Sequence, residues 1–364
     1  MTLLSPTSPM THESVTPQVG SEGPEATKND PNSTIEIVPY SDTLLQEWDE
    51  FVDNSRNGTI FHKQQFLGYH PVGRFDNASL MLRKKGKLVA VFPAAWVDDE
   101  ELGRVFNSYP GSSYGGPVFC PKTRTSTIES ILEAIEQYVR AKGGTAIQMR
   151  LPPHVFHNPP LEELEFLLHL YGYRICRAEL SNFVTLEGTN EDLLARAEPR
   201  CRRHVKKGLR HGLTHSESED YDAYWEILEE NLESRYGVRP THTLEEMKDL
   251  AQRFPDDVKL FAVHEGTRMV AGTVVFQTTR STAHTFYMSS RADARQVAPM
   301  NLALYSAMVT LQNLGFRAVN FGVSTPQGKS VNWGLLEFKE SFGGSGVCRN
   351  TYRKCLNESE LQTN

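Results

Sequence analysis

The stretch Pro299–Val323, PMNLALYSAMVTLQNLGFRAVNFGV, decides the fold. Pro299 suits the first turn of a helix, where its missing N–H costs nothing, and Gly315 suits the stop, so Pro299–Leu314 is expected to be helical. Phe316–Val323 then alternates as a strand, and a strand this close behind a helix implies that the helix packs on a sheet. Upstream, Val258–His264 and Met269–Gln277 flank Glu265-Gly266-Thr267-Arg268 as a hairpin, and Thr282–Ser290 extends it into a meander. Three helical patterns precede the meander, at Glu191–Arg210, Tyr221–Tyr236 and Leu244–Phe254.

The first half follows a similar plan. Ser33–Tyr40 reads as a strand and Asp42–Val52 as a helix, and Ala78–Arg83 with Leu88–Val97 forms a hairpin. A strand from Arg104 runs into a Gly/Ser/Tyr loop that ends near Val118. The amphipathic helix Ser126–Lys142, the stop Gly143-Gly144 and the strand Thr145–Leu151 follow. Gly143 and Gly315 stand about 170 residues apart in matching places, which indicates a duplicated unit. The expected class is α+β with mixed sheets, built as two tandem units with a cleft between them. Residues 33–188 form the first unit and 189–356 the second, with a disordered tail at 1–32 and a frayed end at 357–364.

Composition bounds the function. Of the 364 residues 39% are hydrophobic, enough for a sizeable core, while 38 basic against 45 acidic residues leave a charge of −7. Indiscriminate polyanion binding is excluded, and any phosphate must be held locally. Five cysteines, odd in number and with no C-x-x-C pair, supply neither a disulfide framework nor a zinc-ligand spacing, so no metal is expected. Met1–Met10 has no secretory pattern, and the apolar run Leu88–Val97 is too short to span a membrane, so a cytoplasmic protein is expected. G-x-S-x-G, Walker and H-E-x-x-H motifs are absent, which removes support for hydrolase, nucleotide-phosphate and zinc-peptidase chemistry.

The order of helices, meander, helix and crossover strand, occurring twice, resembles the tandem GNAT fold of the FemAB family of peptidyltransferases and its acetyltransferase-like relatives. The resemblance rests on Pro299–Tyr305 (PMNLALY), Asn320–Ser324 (NFGVS) and Phe338–Gly343 (FKESFG), together with Arg200–Gly212 (RCRRHVKKGLRHG) and Pro110–Pro117 (PGSSYGGP). It implies an N-acyltransferase that moves an acyl or aminoacyl group to a primary amine by direct attack in a ternary complex. The co-substrate would be aminoacyl-tRNA, acyl-CoA or an acyl carrier protein thioester, and the acceptor an amine-bearing small molecule or precursor. Where acetyltransferases of this fold carry a glycine-rich pyrophosphate turn, the chain reads Arg295-Gln296-Val297-Ala298-Pro299-Met300. That departure favours the aminoacyl donor. Against it, no charged heptad run matches the helical arm of some tRNA-dependent relatives.

The resemblance marks Lys339 as the cation that would stabilise negative charge on a reacting carbonyl, against a reading as one more surface lysine. Tyr305, in the helix after the donor loop, is the second catalytic candidate, with a core tyrosine as its alternative. Arg291 and Arg295 flank the loop before that helix and could hold phosphate, while Asn301 and Asn320 could orient the donor or cap a helix and end a strand. Tyr114 is either a ligand-contacting loop aromatic or an exposed ring on a tight turn. Arg235 and Tyr236 are candidate acceptor contacts, or merely precede the Gly237 stop. Arg203, Lys207 and Arg210 share one side of a basic helix and are candidates for phosphate binding. The rival functional reading is a non-catalytic tandem GNAT that binds an anionic ligand or RNA through Arg200–His211. His284 is read as packing or surface.

Overall fold

The computed structural model describes residues 34–157, 159–325 and 328–356, without the side chain of Tyr236. The segments expected to be a disordered tail and a frayed end lie outside the described residues. The first half comprises β1 (Ile35–Pro39), α1 (Leu45–Asp53), α2 (Gln64–Leu67), β2 (Asp76–Asn77), β3 (Leu80–Lys84), β4 (Lys87–Phe92), β5 (Ala95–Asp99), β6 (Gly103–Asn107), β7 (Val118–Phe119), α3 (Thr125–Ala141), β8 (Ala146–Arg150), α4 (Glu162–Leu170) and β9 (Arg174–Thr185). The second comprises α5 (Asn190–Arg196), α6 (Pro199–Arg210), β10 (Thr214–Ser218), α7 (Tyr221–Tyr236), α8 (Leu244–Arg253), β11 (Val258–Glu265), β12 (Arg268–Thr279), β13 (Thr282–Ser290), α9 (Pro299–Asn313), β14 (Ala318–Val323), α10 (Trp333–Glu340) and β15 (Ser345–Cys355).

The fold is mixed α/β. In α3, Ile128, Ile131, Leu132, Ile135 and Val139 recur at helical spacing and are buried, so one stripe of the helix covers the sheet. β6 and β8 pair in parallel around the α3 crossover, and β13 and β14 do the same around α9. α9 is buried on most sides because α6 packs on the face away from the sheet. Where a single helix is expected over Glu191–Arg210, the chain leaves α5 at Ala197 in extended conformation and restarts with Pro199 at the first turn of α6.

One sheet of eleven strands runs through both halves in the order β10-β11-β12-β13-β14-β9-β15-β8-β6-β5-β2, beside a four-stranded sheet β1-β3-β4-β7. The sequence reading assigns no strand to β9 or β15, the long strands that close each half. Their charged residues break the alternation that marks a half-buried strand. β15, last in the chain, inserts between β9 and β8, so the second half completes the sheet of the first. Within the first half Phe61 meets Tyr114 edge-on at 5.3 Å, and its edge-to-face contact with Phe276 of the second half, at 5.7 Å, ties the halves together.

Ala298 caps α9 with φ 55° and ψ 48°, a left-handed conformation that an alanine Cβ disfavours. Ala298→Gly is expected to raise stability by roughly 0.5–1 kcal/mol after allowing for the greater freedom of glycine in the unfolded chain. Urea denaturation measures it, and a loss of stability would show that the alanine conformation is not strained.

Candidate active site

β13 and β14 hold together only at Thr282↔Ala318, Ala283↔Val319 and His284↔Asn320, and beyond these pairs they part. Gly322 makes the parting possible. Its φ is +72°, and a Cβ there would meet the His284 ring at 3.2 Å. The pairing of β14 with β9 also shifts register between Asn320 and Val323, which turns two backbone carbonyls out of the ladder. Both carbonyls, of Gly322 and Val323, accept hydrogen bonds from Lys339 Nζ at 2.8 Å.

Lys339 comes from α10 and is 1% exposed. Burial, with the Arg349 charge adding to it, lowers its pKa to about 7. An ammonium has three N–H bonds, and two are spent on carbonyls. Among the described residues the third has no partner, and it can meet an oxygen that gains negative charge.

Asn320 organises the strand ends. Its Oδ1 accepts from Gly322 N–H at 2.7 Å and from Ser181 Oγ at 2.8 Å, and it lies 3.2 Å from His284 Nδ1. The backbone N–H can only donate, which fixes Oδ1 as the acceptor, so His284 Nδ1 carries the ring proton and Nε2 the lone pair. Burial first, then the Arg349 charge, lowers the His284 pKa to about 3. The imidazole is therefore neutral and in one tautomer.

These groups border a cavity of about 360 Å³ whose lining includes Ser113, Asn231, Arg235, His284, Lys339 and Arg349. It adjoins a second of about 410 Å³ across Asn231, Arg235 and Leu335, where Arg295 and Met300 join the wall. A third, about 560 Å³, shares Gly334 and Phe338 with the second and is lined by Arg200, Cys201, His204 and Asn301. The N-terminus of α9 thus lies between the second and third cavities. A larger cavity of about 700 Å³ lies at the opposite end of β12 and β13. Its wall includes the ion pairs Lys63–Asp53, 2.7 Å, and Lys259–Glu217, 2.5 Å.

The site therefore gathers Lys339, Asn320, Arg235 and Arg295 from the sequence candidates. Arg295 Nη2 is 3.5 Å from Asn231 Oδ1. Asn301 faces the third cavity, with Nδ2 3.5 Å from Cys201 Sγ. Arg291 is engaged elsewhere, donating from Nε to the Met269 carbonyl at 3.0 Å and pairing with Glu226 and Glu230. Tyr305 lines none of the three cavities. Its hydroxyl lies 3.4 Å from the Asn190 carbonyl and its ring packs among core residues of α9. Arg203, Lys207 and Arg210 lie along α6 outside the cavities. Tyr114 is 1% exposed, so it is no exposed loop ring. It packs edge-on to His284 and under the Arg349 guanidinium. Gly237 ends α7 in left-handed conformation, as the stop reading has it.

The sequence reading missed Arg349, Glu179, Asn231 and Ser113, and set His284 aside. Arg349 donates from Nη2 at 2.7 Å and from Nε at 3.1 Å to Oε2 of the buried Glu179. A polar His284 in the middle of an otherwise buried strand was the one local signal available.

Residues 195–339 match the family model of the acetyltransferase (GNAT) domain. The second half is a GNAT domain. The whole chain carries the tandem form of that fold, and its class is acyltransferase. The crystal structure of FemX, 14% identical, superposes with a TM-score of 0.69 over 89% of this chain and 98% of that one. The C-terminal domain of a putative lysylphosphatidylglycerol synthetase from Agrobacterium fabrum, 14% identical, gives 0.54 over 88% and 93%. A tandem GNAT protein from the clavulanic acid biosynthesis pathway, solved without AcCoA and 12% identical, gives 0.51 over 90% and 100%. No curated protein matches this chain. Among the described residues of the tandem GNAT chain, no helix is long and apolar enough to cross a membrane.

Proposed function

We propose that the tandem GNAT chain transfers an acyl or aminoacyl group from an activated donor to a primary amine, by direct attack in the gap between β13 and β14. The observation that carries this reading is the buried Lys339 ammonium, held by the Gly322 and Val323 carbonyls and with one N–H unpartnered among the described residues. The amine nitrogen forms a bond to the donor carbonyl carbon, and the C–O bond of an ester or the C–S bond of a thioester breaks. One amine proton leaves with the departing alcohol or thiol. Lys339 would stabilise the oxyanion between these steps. His284 Nε2, with little basicity, would orient the amine N–H as an acceptor and leave the proton to the leaving group.

The donor would lie across the second and third cavities, its phosphates met by Arg295, Arg235 and Arg200 at the N-terminus of α9. Ala298 and Pro299 stand where glycine amides would cradle a pyrophosphate, so side-chain cations take over that task. This favours an aminoacyl-tRNA, and the name of the lysylphosphatidylglycerol synthetase that shares the fold points the same way. An acyl thioester, on CoA or an acyl carrier protein, is the other arm.

Thermal shift and native mass spectrometry against CoA thioesters, acyl carrier protein thioesters and charged tRNA separate the two. One donor class is expected to raise the melting temperature in proportion to its occupancy, and mixing it with an amine should yield the N-acyl product. No shift with any acyl donor would remove the proposal. RNA binding that falls steeply with salt and survives Lys339→Met, without turnover, would favour the non-catalytic reading instead.

A further inference from the structure

β15 runs between β8 and β9, so residues facing each other across it share one side of the sheet. Thr351 stands opposite Arg150 on β8 and Arg177 on β9. Two residues earlier, on the same side, Arg349 stands opposite Glu179. Three guanidiniums thus gather around one buried carboxylate, and that carboxylate is already bonded to Arg349.

Most of the remaining donors on this face have no partner among the described residues. Arg177 makes no hydrogen bond or ion pair among the described residues. Arg150 Nε is buried without a partner, and its Nη1 has only the Ser112 carbonyl at 3.3 Å. Thr351 is 3% exposed, and its hydroxyl, set between Arg150 and Arg177, has no partner either. Buried polar groups are satisfied as a rule, and an orphaned hydroxyl flanked by unneutralised cations is what an absent anion leaves behind. Arg150 feels the repulsion of both Arg349 and Arg177, with the single Glu179 carboxylate as the opposing charge.

The face is continuous with the catalytic gap, because Arg349 lines the same cavity as His284 and Lys339. It also lies on the first-half side, away from the donor path along α9. We infer that Arg150, Arg177, Arg349 and the Thr351 hydroxyl form a subsite for an oxyanion, a carboxylate or phosphate group, carried by the amine acceptor. Placing that oxyanion on the acceptor rests on the acyl-transfer reading; the anion subsite itself does not.

The test uses the full chain with inorganic phosphate and succinate as probes, in isothermal titration calorimetry and thermal shift at constant ionic strength balanced with chloride. One of the two is expected to bind the wild type and to bind at least fivefold more weakly to Arg177→Met and to Thr351→Val. Arg353→Met, which removes a guanidinium held by Gln148 on the same sheet, should bind as wild type does. Preference for phosphate assigns a phosphorylated amine, and preference for succinate an amine with a carboxylate. Neither probe binding better than chloride, or all three variants binding as tightly as wild type, overturns the subsite. Once a donor is known, Arg177→Met should raise KM about fivefold or more for an amine bearing the preferred anion, with kcat within twofold. The same variant should leave KM unchanged for the amine lacking that group, and a rise for both amines would again overturn the assignment. Failure of every donor would remove the acyl-transfer reading while the calorimetry still decides the anion site.

Discussion

Lys339→Met is expected to lower kcat by roughly 100- to 1,000-fold, the scale set by losing one preorganised donor to a reaction oxyanion. Methionine fills much of the same buried volume, so the loss should appear in turnover and not in folding. Donor binding, measured by thermal shift, should persist because Arg235 and Arg295 are untouched. Tyr305→Phe is the contrast: with its hydroxyl at the Asn190 carbonyl and its ring outside the cavities, turnover should stay within about twofold of wild type. Equal activities for wild type and Lys339→Met would remove the lysine from the mechanism.

The same substitution has a signature in pH. Burial lowers the Lys339 pKa from 10.5 to about 7, so between those values the unfolded chain holds a proton that the folded chain lacks. Stability therefore rises with pH across that interval, and the cost of burying the lysine is full below pH 7. A depression of this size corresponds to at most roughly 5 kcal/mol, reduced in practice because Met leaves two carbonyls without their partner. Relative to wild type, Lys339→Met should be most stable near pH 6 and should lose that advantage as pH approaches 10. Denaturation series at several pH values read this directly, and a difference independent of pH would contradict it. In turnover the ammonium is the working form, so kcat should fall as pH rises through about 7.

Glu179→Ala is expected to cost about 3–5 kcal/mol of stability, because it strands the guanidinium of Arg349 beside two further arginines. Glu179 is 4% exposed and the Arg349 side chain 14%, so water cannot replace the lost partner. Removing both charges with Glu179→Leu and Arg349→Met should restore most of the loss, since apolar groups of similar size need no partner. Urea denaturation of the two single variants and the pair closes the cycle. A cost below about 1 kcal/mol for Glu179→Ala would mean that the pair is solvated.

Local signals in the chain were enough for the elements near the site. Pro299, the helical apolar pattern and Gly315 mark α9 because helix starts, periods and stops are set by neighbours in sequence. Lys339 could be singled out through the Phe-Lys-x-x-Phe-Gly segment, yet its burial could not. Its environment is made by carbonyls of Gly322 and Val323, seventeen and sixteen residues back, which turn toward it only where β14 leaves β13. Tyr114 looked like a loop residue because its neighbours are small; the rings that pack on it, Phe61 of its own half and His284 of the other, are far away in sequence.

By itself, the sequence determined a mixed α/β protein with a repeated helix-and-crossover plan, and a basic segment in an acidic chain. These follow from periodicity and composition, which act over a few residues at a time. Only the tertiary structure decided that β15 threads between β8 and β9, that Arg349 meets Glu179 across 170 residues, and that His284, Asn320 and Lys339 share one gap. The physical reason is that strand pairing joins segments with no local record of each other, and a side chain's charge state depends on what that pairing buries beside it.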